Sequence, residues 1–162
     1  MRKILHGSLF LAVALVCVPA VSQAATRSGY SASTEGQVLV LLNAIRHEHG
    51  LSTLAGSVAL RHAARSHTSD MLEHGYFEHN SPNERFDVRV RRFLKSPLVG
   101  ENIAWGTGSY GTAAGLVSLW MHSPAHRHII LMPELHRVGL GIATGSYHHT
   151  PGAVMATADF SS

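Results

Sequence analysis

Four short segments along the chain constrain its fold most strongly. In order, they are Gly75–Pro82 (GYFEHNSP), Gly100–Trp105 (GENIAW), Ser123–Arg127 (SPAHR) and Val138–Ala143 (VGLGIA). Each contains an imidazole, a carboxylate or glycine-rich backbone that can turn tightly. We therefore interpret the four segments as the wall of one polar cleft.

The order of the predicted secondary structure indicates the architecture around this cleft. Apolar residues recur with helical spacing over much of the chain, whereas two of the three alternating segments come near its end. The sequence predicts helices over 34–49, 57–74, 84–93, 112–121 and 123–131, and strands over 99–105, 137–143 and 153–160, with a loop over 145–152. Helices followed by about three strands predict an α+β fold, a three-layer α-β-α sandwich with a small antiparallel sheet between helices.

The first 24 residues are predicted to be a signal peptide. Arg2 and Lys3 precede the apolar run Leu9–Val18, and Ser22–Ala24 supplies small residues for cleavage. The sequence thus predicts export to the periplasm or the medium. A lipoprotein anchored through Cys17 is the alternative, although Val16 is not the small residue that such processing prefers.

The remainder is predicted to be a flexible arm over 25–33 and one domain over 34–162. Cys17 is the only cysteine, so the mature chain has no disulfide. About 140 residues suffice for a domain that is stabilised by packing alone.

Charge and hydropathy exclude several classes of function. Arg2 and Lys3 contribute two of the three net positive charges. Five basic residues lie within Arg85–Lys95, which we interpret as a solvated helix face, with a contact to a phosphate-rich or acidic surface as the alternative. Since the chain is predicted to be exported, we expect no nucleic acid partner.

No later apolar run is long enough for a transmembrane segment. We also expect the protein to be a monomer.

The four segments together resemble the CAP superfamily, which comprises cysteine-rich secretory proteins, antigen 5 and plant pathogenesis-related proteins. The likeness is closest to its short bacterial, SCP-like members. The family builds its cleft from two histidines and two acidic residues, and the resemblance implies that His79, Glu101 and His126 are three of them. The remaining acid should follow Trp120 by three residues, but Ser123 stands there. We therefore expect a cleft formed by His79, Glu101, Ser123 and His126.

Two kinds of chemistry fit these residues. Two neutral imidazoles, from His79 and His126, can hold Zn²⁺ or another divalent cation weakly, with water completing the shell. Alternatively, Glu101 accepts hydrogen bonds from the histidines in a purely structural network. His122 is not expected to join His126 as a ligand, because Pro124 separates the two helices that carry them. His67 lies on the apolar stripe of its helix and is predicted to be a core histidine that makes one hydrogen bond.

Three functions remain open on the sequence alone. The first is an exported binding module for a small or cell-envelope ligand. The second is a metal-assisted hydrolase or peptidase, in which Glu101 and His126 are the candidate catalytic residues. Against it, no nucleophile motif is present. The third is a structural protein with a vestigial cleft.

Overall fold

The computed structural model describes residues 29–162, so the predicted signal peptide and Cys17 lie outside the described residues. Five α-helices, one 3-10 helix and a four-stranded sheet make up this range. The helices are α1 (Ala32–Glu48), α2 (Val58–His74), α3 (Phe86–Phe93), α4 (Ala113–His122) and α5 (Pro124–Ile130), and the 3-10 helix is Gly108–Gly111. The strands are β1 (Ala55–Gly56), β2 (Val99–Gly106), β3 (Arg137–Tyr147) and β4 (Thr150–Ser161).

The sheet has the order β1-β3-β4-β2. β4 is antiparallel to both β2 and β3, and the two-residue β1 is parallel to β3. Helix α2 packs on one face against β3 and β4, while α1 and α4 cover the other face. The predicted α-β-α sandwich is thus confirmed, with the short β1 as an additional strand.

Helix α2 begins and ends where the sequence predicts. The side chain of Ser57 accepts a hydrogen bond from the backbone N–H of Leu60, which caps the first turn. Gly75 ends the helix in the left-handed conformation, with φ of 68°. The end at Gly75 determines where the segment that carries His79 begins.

The backbones of α2 and β3 approach each other so closely that only glycine fits between them. A Cβ atom at Gly139 would lie 2.0 Å from the backbone nitrogen of Arg61. Beside Gly141, the hydroxyl of Thr68 donates to the Gly141 carbonyl over 2.8 Å. The face of α2 that carries His67 is therefore held directly on the sheet.

Helix α5 is anchored from two sides. The side-chain amide of Asn102 on β2 donates to the backbone carbonyl of His126 over 3.0 Å. Arg46 on α1 is fully buried, and its guanidinium donates to the carbonyls of Ser52, Ile130, Met132 and Leu135. Five N–H donors in a rigid fork allow one arginine to satisfy several carbonyls at a chain crossing.

The predicted arm over 25–33 is described from Gly29 onward, and these residues are in contact with the fold. Tyr30 pairs with Ala143 as an isolated β-bridge, and its hydroxyl donates to the Arg65 carbonyl over 2.7 Å. Ser31 caps α1, so this helix begins at Ala32 rather than at Thr34.

The prediction of a loop over 145–152 is wrong. β3 continues to Tyr147 and β4 begins at Thr150, so only His148 and His149 turn the chain. Both have positive φ, 45° and 63°. The prediction failed because such two-residue turns normally contain asparagine or glycine, which adopt this conformation readily.

Within residues 29–162, no helix is long and apolar enough to cross a membrane.

Candidate functional site

His79 lies in the segment between α2 and α3, with about half of its side chain exposed. Its Nδ1 lies 2.9 Å from Oε1 of Glu101. Since a carboxylate only accepts, Nδ1 carries the hydrogen, and Nε2 is left with a free lone pair. Partial burial lowers the pKa of His79, and the nearby Arg89 lowers it further. The ring is therefore a neutral imidazole in a fixed tautomer.

Glu101 lies on β2 and forms the floor of the cleft. Its side chain is 1% exposed, and it accepts hydrogen bonds from His79 and from the guanidinium of Arg89. Burial raises the pKa of Glu101, and the charge of Arg89 opposes that rise. The carboxyl group thus orients other side chains from below and does not reach the surface itself.

Arg89 on α3 was not identified as a site residue from the sequence. It is 3% exposed and also donates to the backbone carbonyl of His79 over 3.1 Å. The interpretation of the basic run as a solvated face is therefore wrong for Arg89. Exposed or half-exposed arginines of the same run pair with nearby acids on the surface: Arg85 and Arg91 with Asp87, and Arg92 with Glu84.

A signal for Arg89 was present in the spacing of α3. Phe86, Val90 and Phe93 recur at i, i+4 and i+7. Arg89, at i+3 from Phe86, falls on the same face as these apolar residues. An arginine on the apolar face of a short helix indicates a buried acid, and that acid is Glu101.

Asp159 on β4 is the second residue that the sequence analysis missed. It is fully buried and stands directly opposite Glu101 in the register of β2 and β4. Burial and the negative charge of Glu101 raise the pKa of Asp159 well above its usual value. It follows Met155 by four residues and Thr157 by two, and this spacing placed it on the same face of β4 as those residues.

His67 on α2 approaches the carboxyl group of Glu101 from the side of the sheet that α2 covers. Its Nε2 donates to the backbone carbonyl of Glu78 over 2.9 Å and lies 4.0 Å from Oε2 of Glu101. Burial, helped by the charge of Arg89, lowers the pKa of His67 to about 4. The structure therefore contains the core histidine with one hydrogen bond that was predicted, and this bond holds the segment next to His79.

His126 on α5 forms the opposite wall of the cleft. Its ring centroid lies 6.4 Å from that of His79, so the two imidazoles are neighbours. Partial burial lowers the pKa of His126, as does the proximity of His79. His122 faces its own helix, with Nδ1 2.8 Å from the Ser118 carbonyl, and takes no part in this pair.

Ser123 separates α4 from α5 but does not join the histidines. It occupies the N-cap position of α5, yet its side chain makes no capping hydrogen bond. Within the described range, no hydrogen bond connects it to His79, Glu101 or His126. The structure thus brings three of the four predicted cleft residues together, and Ser123 lies one helical turn before His126.

The number of metal-binding side chains in the cleft limits how strongly it can hold a metal ion. Within residues 29–162, no group of three or more His, Cys, Asp or Glu side chains is arranged to hold a metal ion. The two imidazoles alone fit a weak, open site. The carboxylate behind His79 is the kind of partner that fixes the tautomer of metal-binding histidines.

An apolar pocket of about 240 Å³ adjoins His79 and Glu101. Its wall comes from α3, the beginning of β2, and the end of α5 with the turn that follows. The apolar residues lining it are Phe86, Leu98, Val99, Ile129, Met132 and Leu135. Gly100 keeps the pocket open, because a Cβ atom there would lie 3.1 Å from the Ile129 side chain.

Comparisons with known proteins agree with this architecture. The chain is 36% identical over 115 residues to the uncharacterized protein YkwD of Bacillus subtilis (strain 168), an alignment that covers 69% of this chain and 44% of YkwD. An extracellular protein containing an SCP domain from Bacillus anthracis str. Ames has a TM-score of 0.67 at 27% identity, covering 79% of this chain and 40% of that protein. The chain thus spans less than half the length of these two relatives.

The fold alone is shared with an outer surface protein of Borrelia burgdorferi. That structure has a TM-score of 0.73 at 16% identity, covering 83% of this chain and 96% of that protein. Residues 39–160 match the family model of the cysteine-rich secretory proteins, called CAP. The chain belongs to this family.

Proposed function

We propose that the domain is an exported binding module whose cleft, between His79 and His126, takes a small ligand that has both a polar and an apolar part. The observation that carries the proposal is the position of His79, which lines an apolar pocket and has His126 as its neighbour. Binding sites for small molecules typically combine an apolar wall with a few fixed polar groups. Export is supported by the signal peptide pattern and by the extracellular and outer surface proteins of the same fold.

The size of the pocket indicates the apolar part of the ligand. A volume of about 240 Å³ is enough for one branched aliphatic group and lies below the range of about 300–1,000 Å³ typical of pockets that enclose a whole small-molecule ligand. The rim at His79 offers an imidazole nitrogen that accepts a hydrogen bond. A peptide or amide with a leucine-sized side chain has both features.

We propose further that His79 and His126 together bind a divalent cation. Because Nδ1 of His79 is engaged by Glu101, Nε2 is the nitrogen that would bind the ion. Two protein ligands leave the remaining positions to water or to a polar group of the ligand. Such an ion would polarise that group, while the protein supplies the pocket and the orientation of both rings.

Metal-assisted hydrolysis is the second candidate, and one observation favours it. The bond between Nδ1 of His79 and Glu101 is the arrangement that makes a histidine an oriented general base. However, Glu101 is too deeply buried to meet a substrate itself. A binding function accounts for both the apolar pocket and the neighbouring imidazoles, whereas hydrolysis accounts only for the hydrogen bond between His79 and Glu101.

Calorimetric titration of Zn²⁺ into the purified, tag-free protein tests the cation. We expect saturable binding of about one ion, which disappears in a His79→Ala/His126→Ala double variant. His148→Ala/His149→Ala is the matched control, since it also removes two histidines but from the β3–β4 turn. Binding that survives the first double variant, or that the control abolishes, would exclude a metal site in the cleft.

A further inference from the structure

Asp159 is buried without a conventional hydrogen-bond donor. Among the described residues, neither of its oxygens meets an amide, hydroxyl, imidazole or guanidinium N–H or O–H group. An isolated carboxylate is rarely kept under such conditions, because removing a charge from water is unfavourable unless the charge is compensated or neutralised. The side chain must therefore be neutral or share a proton with a neighbour.

The neighbour is Glu101. The two residues stand directly opposite each other on β2 and β4, and both side chains face α2, since Thr157 on the same side of β4 bonds to Thr68. Opposed residues on antiparallel strands bring their Cβ atoms within about 4.5–5.5 Å. The two carboxyl groups are thus side by side in the interior.

The charges around this pair compensate one carboxylate and not two. Arg89 from α3 is the permanent cation, and it donates to Glu101. His67 from α2 is neutral, since burial lowers its pKa to about 4. His79 contributes the N–H group of its Nδ1, which donates to Glu101. Two close carboxylates with a single counter-charge retain one proton between them. Because Arg89 and His79 both donate to Glu101, the negative charge belongs on Glu101 and the proton on Asp159.

We propose that Asp159 is a positioning residue of the cleft, held as a neutral acid whose O–H donates to the Glu101 carboxylate. Glu101 then accepts hydrogen bonds from three donors: Arg89, His79 and Asp159. With these three donors in place, one oxygen stays directed at Nδ1 of His79, and Nε2 stays directed away from Glu101. The inference concerns the free protein and does not depend on which ligand or metal the cleft binds.

Carbon-13 NMR of ligand-free protein labelled at the aspartate side-chain carboxyl is the direct test. The Asp159 signal is identified by its loss in Asp159→Asn. We expect its chemical shift at neutral pH to be that of a protonated carboxylic acid. A chemical shift typical of a carboxylate would overturn the proposal, and this measurement uses the unaltered protein, so it does not depend on the folding of a variant.

The positioning role has a separate readout in His79. Asparagine preserves a donor of the same shape and has no charge, so Asp159→Asn is expected to leave the pKa of His79 unchanged. Were Asp159 ionised, removing its negative charge would lower the pKa of His79. Asp159→Ala, which removes the donor, is expected to weaken the hydrogen-bonded Nδ1–H signal of His79, whereas Asp159→Asn preserves it. Loss of that signal in Asp159→Asn, or its full retention in Asp159→Ala, would contradict the role.

Discussion

The guanidinium of Arg89 forms an ion pair with the carboxylate of Glu101 beneath the surface that His79 occupies. Both side chains are nearly inaccessible, at 4% and 1% exposed. The pair connects α3 to β2, and Arg89 also holds the backbone carbonyl of His79. The wall of the cleft that carries His79 therefore depends on a charge pair below it.

Substitution of Glu101 by glutamine is expected to destabilise the fold by about 3 kcal/mol, because it leaves the buried charge of Arg89 without its counter-ion. Denaturant unfolding measures the change. Glu84→Gln is the control, since Glu84 pairs with the largely exposed Arg92, and loss of that pair should cost about 1 kcal/mol or less. Equal effects of the two substitutions would show that the buried pair contributes no more than a surface pair.

The second prediction concerns the pH dependence that His67 contributes. Burial lowers its pKa to about 4, whereas the unfolded chain titrates near the ordinary histidine value of about 6.5. Between these values, the unfolded state binds a proton that the folded state does not. The contribution of His67 to the free energy of unfolding is therefore complete above about pH 6.5 and is lost as the pH falls toward 4.

Comparison of the unaltered protein with His67→Gln isolates this contribution, since glutamine retains a donor for the Glu78 carbonyl. On acidification from about pH 7 to about pH 4.5, the unaltered protein should lose about 2 kcal/mol of stability relative to the variant. The comparison is needed because the raised pKa values of Glu101 and Asp159 act in the opposite sense. A difference between the two proteins that is constant over this range would mean that His67 titrates normally.

Filling the pocket should weaken binding of an apolar group there. Valine at Gly100 would project toward Ile129, whose side chain lies 3.1 Å from a Cβ atom at that position. With N-acetyl-leucine methylamide as the probe, we expect shifts of the methyl signals of Leu98, Ile129 and Met132 in NMR spectra. Gly100→Val should reduce the affinity about tenfold, as expected for the loss of one or two methylene contacts.

The glycine analogue of the probe, and a Gly36→Ala variant, complete this test. Gly36 has open space around it, so that substitution should leave binding unchanged. If the leucine and glycine probes bind alike, or if Gly100→Val binds the leucine probe normally, the pocket does not select an aliphatic group.

Alanine at Gly139 should prevent stable folding. Its Cβ atom would lie 2.0 Å from the backbone nitrogen of Arg61, and helix backbone cannot move aside as a side chain can. Gly145→Ala is the matched control on the same strand, because its Cβ atom meets only the flexible side chain of Leu72, at 3.1 Å. Thermal unfolding followed by circular dichroism distinguishes the two, and a cooperative transition of normal midpoint in Gly139→Ala would contradict the close approach of α2 and β3.

Local sequence signals predicted most of the fold. Ser57 and Gly75 marked both ends of α2, and Pro124 marked the break between α4 and α5. These residues act locally, Ser57 through its capping side chain and Gly75 and Pro124 through their backbone conformation. The β3–β4 turn was missed because His148 and His149 adopt a conformation that the residue types alone disfavour, and the pairing of two long strands imposes it.

The site was predicted only in part, for a similar reason. His79, Glu101 and His126 were placed through the family resemblance, and the structure brings them together. Arg89 was missed although its spacing placed it on the apolar face of α3, because the basic run around it was interpreted as a solvated face. Asp159 was missed because its role depends on the pairing of β2 with β4, which are distant in sequence. A single acid in an alternating strand has no identifiable partner until the register across β2 and β4 places Asp159 opposite Glu101.

The position of β4 has a consequence for how the domain assembles. This strand comes last in the order of elements, yet it lies between β2 and β3, which make no ladder with each other. Neither of those strands can complete its pairing until β4 has been synthesised. Folding therefore waits for contacts between distant parts of the chain, a topology associated with slow folding. Because Asp159 is on that same strand, the complete floor of the cleft forms only at the end of this process.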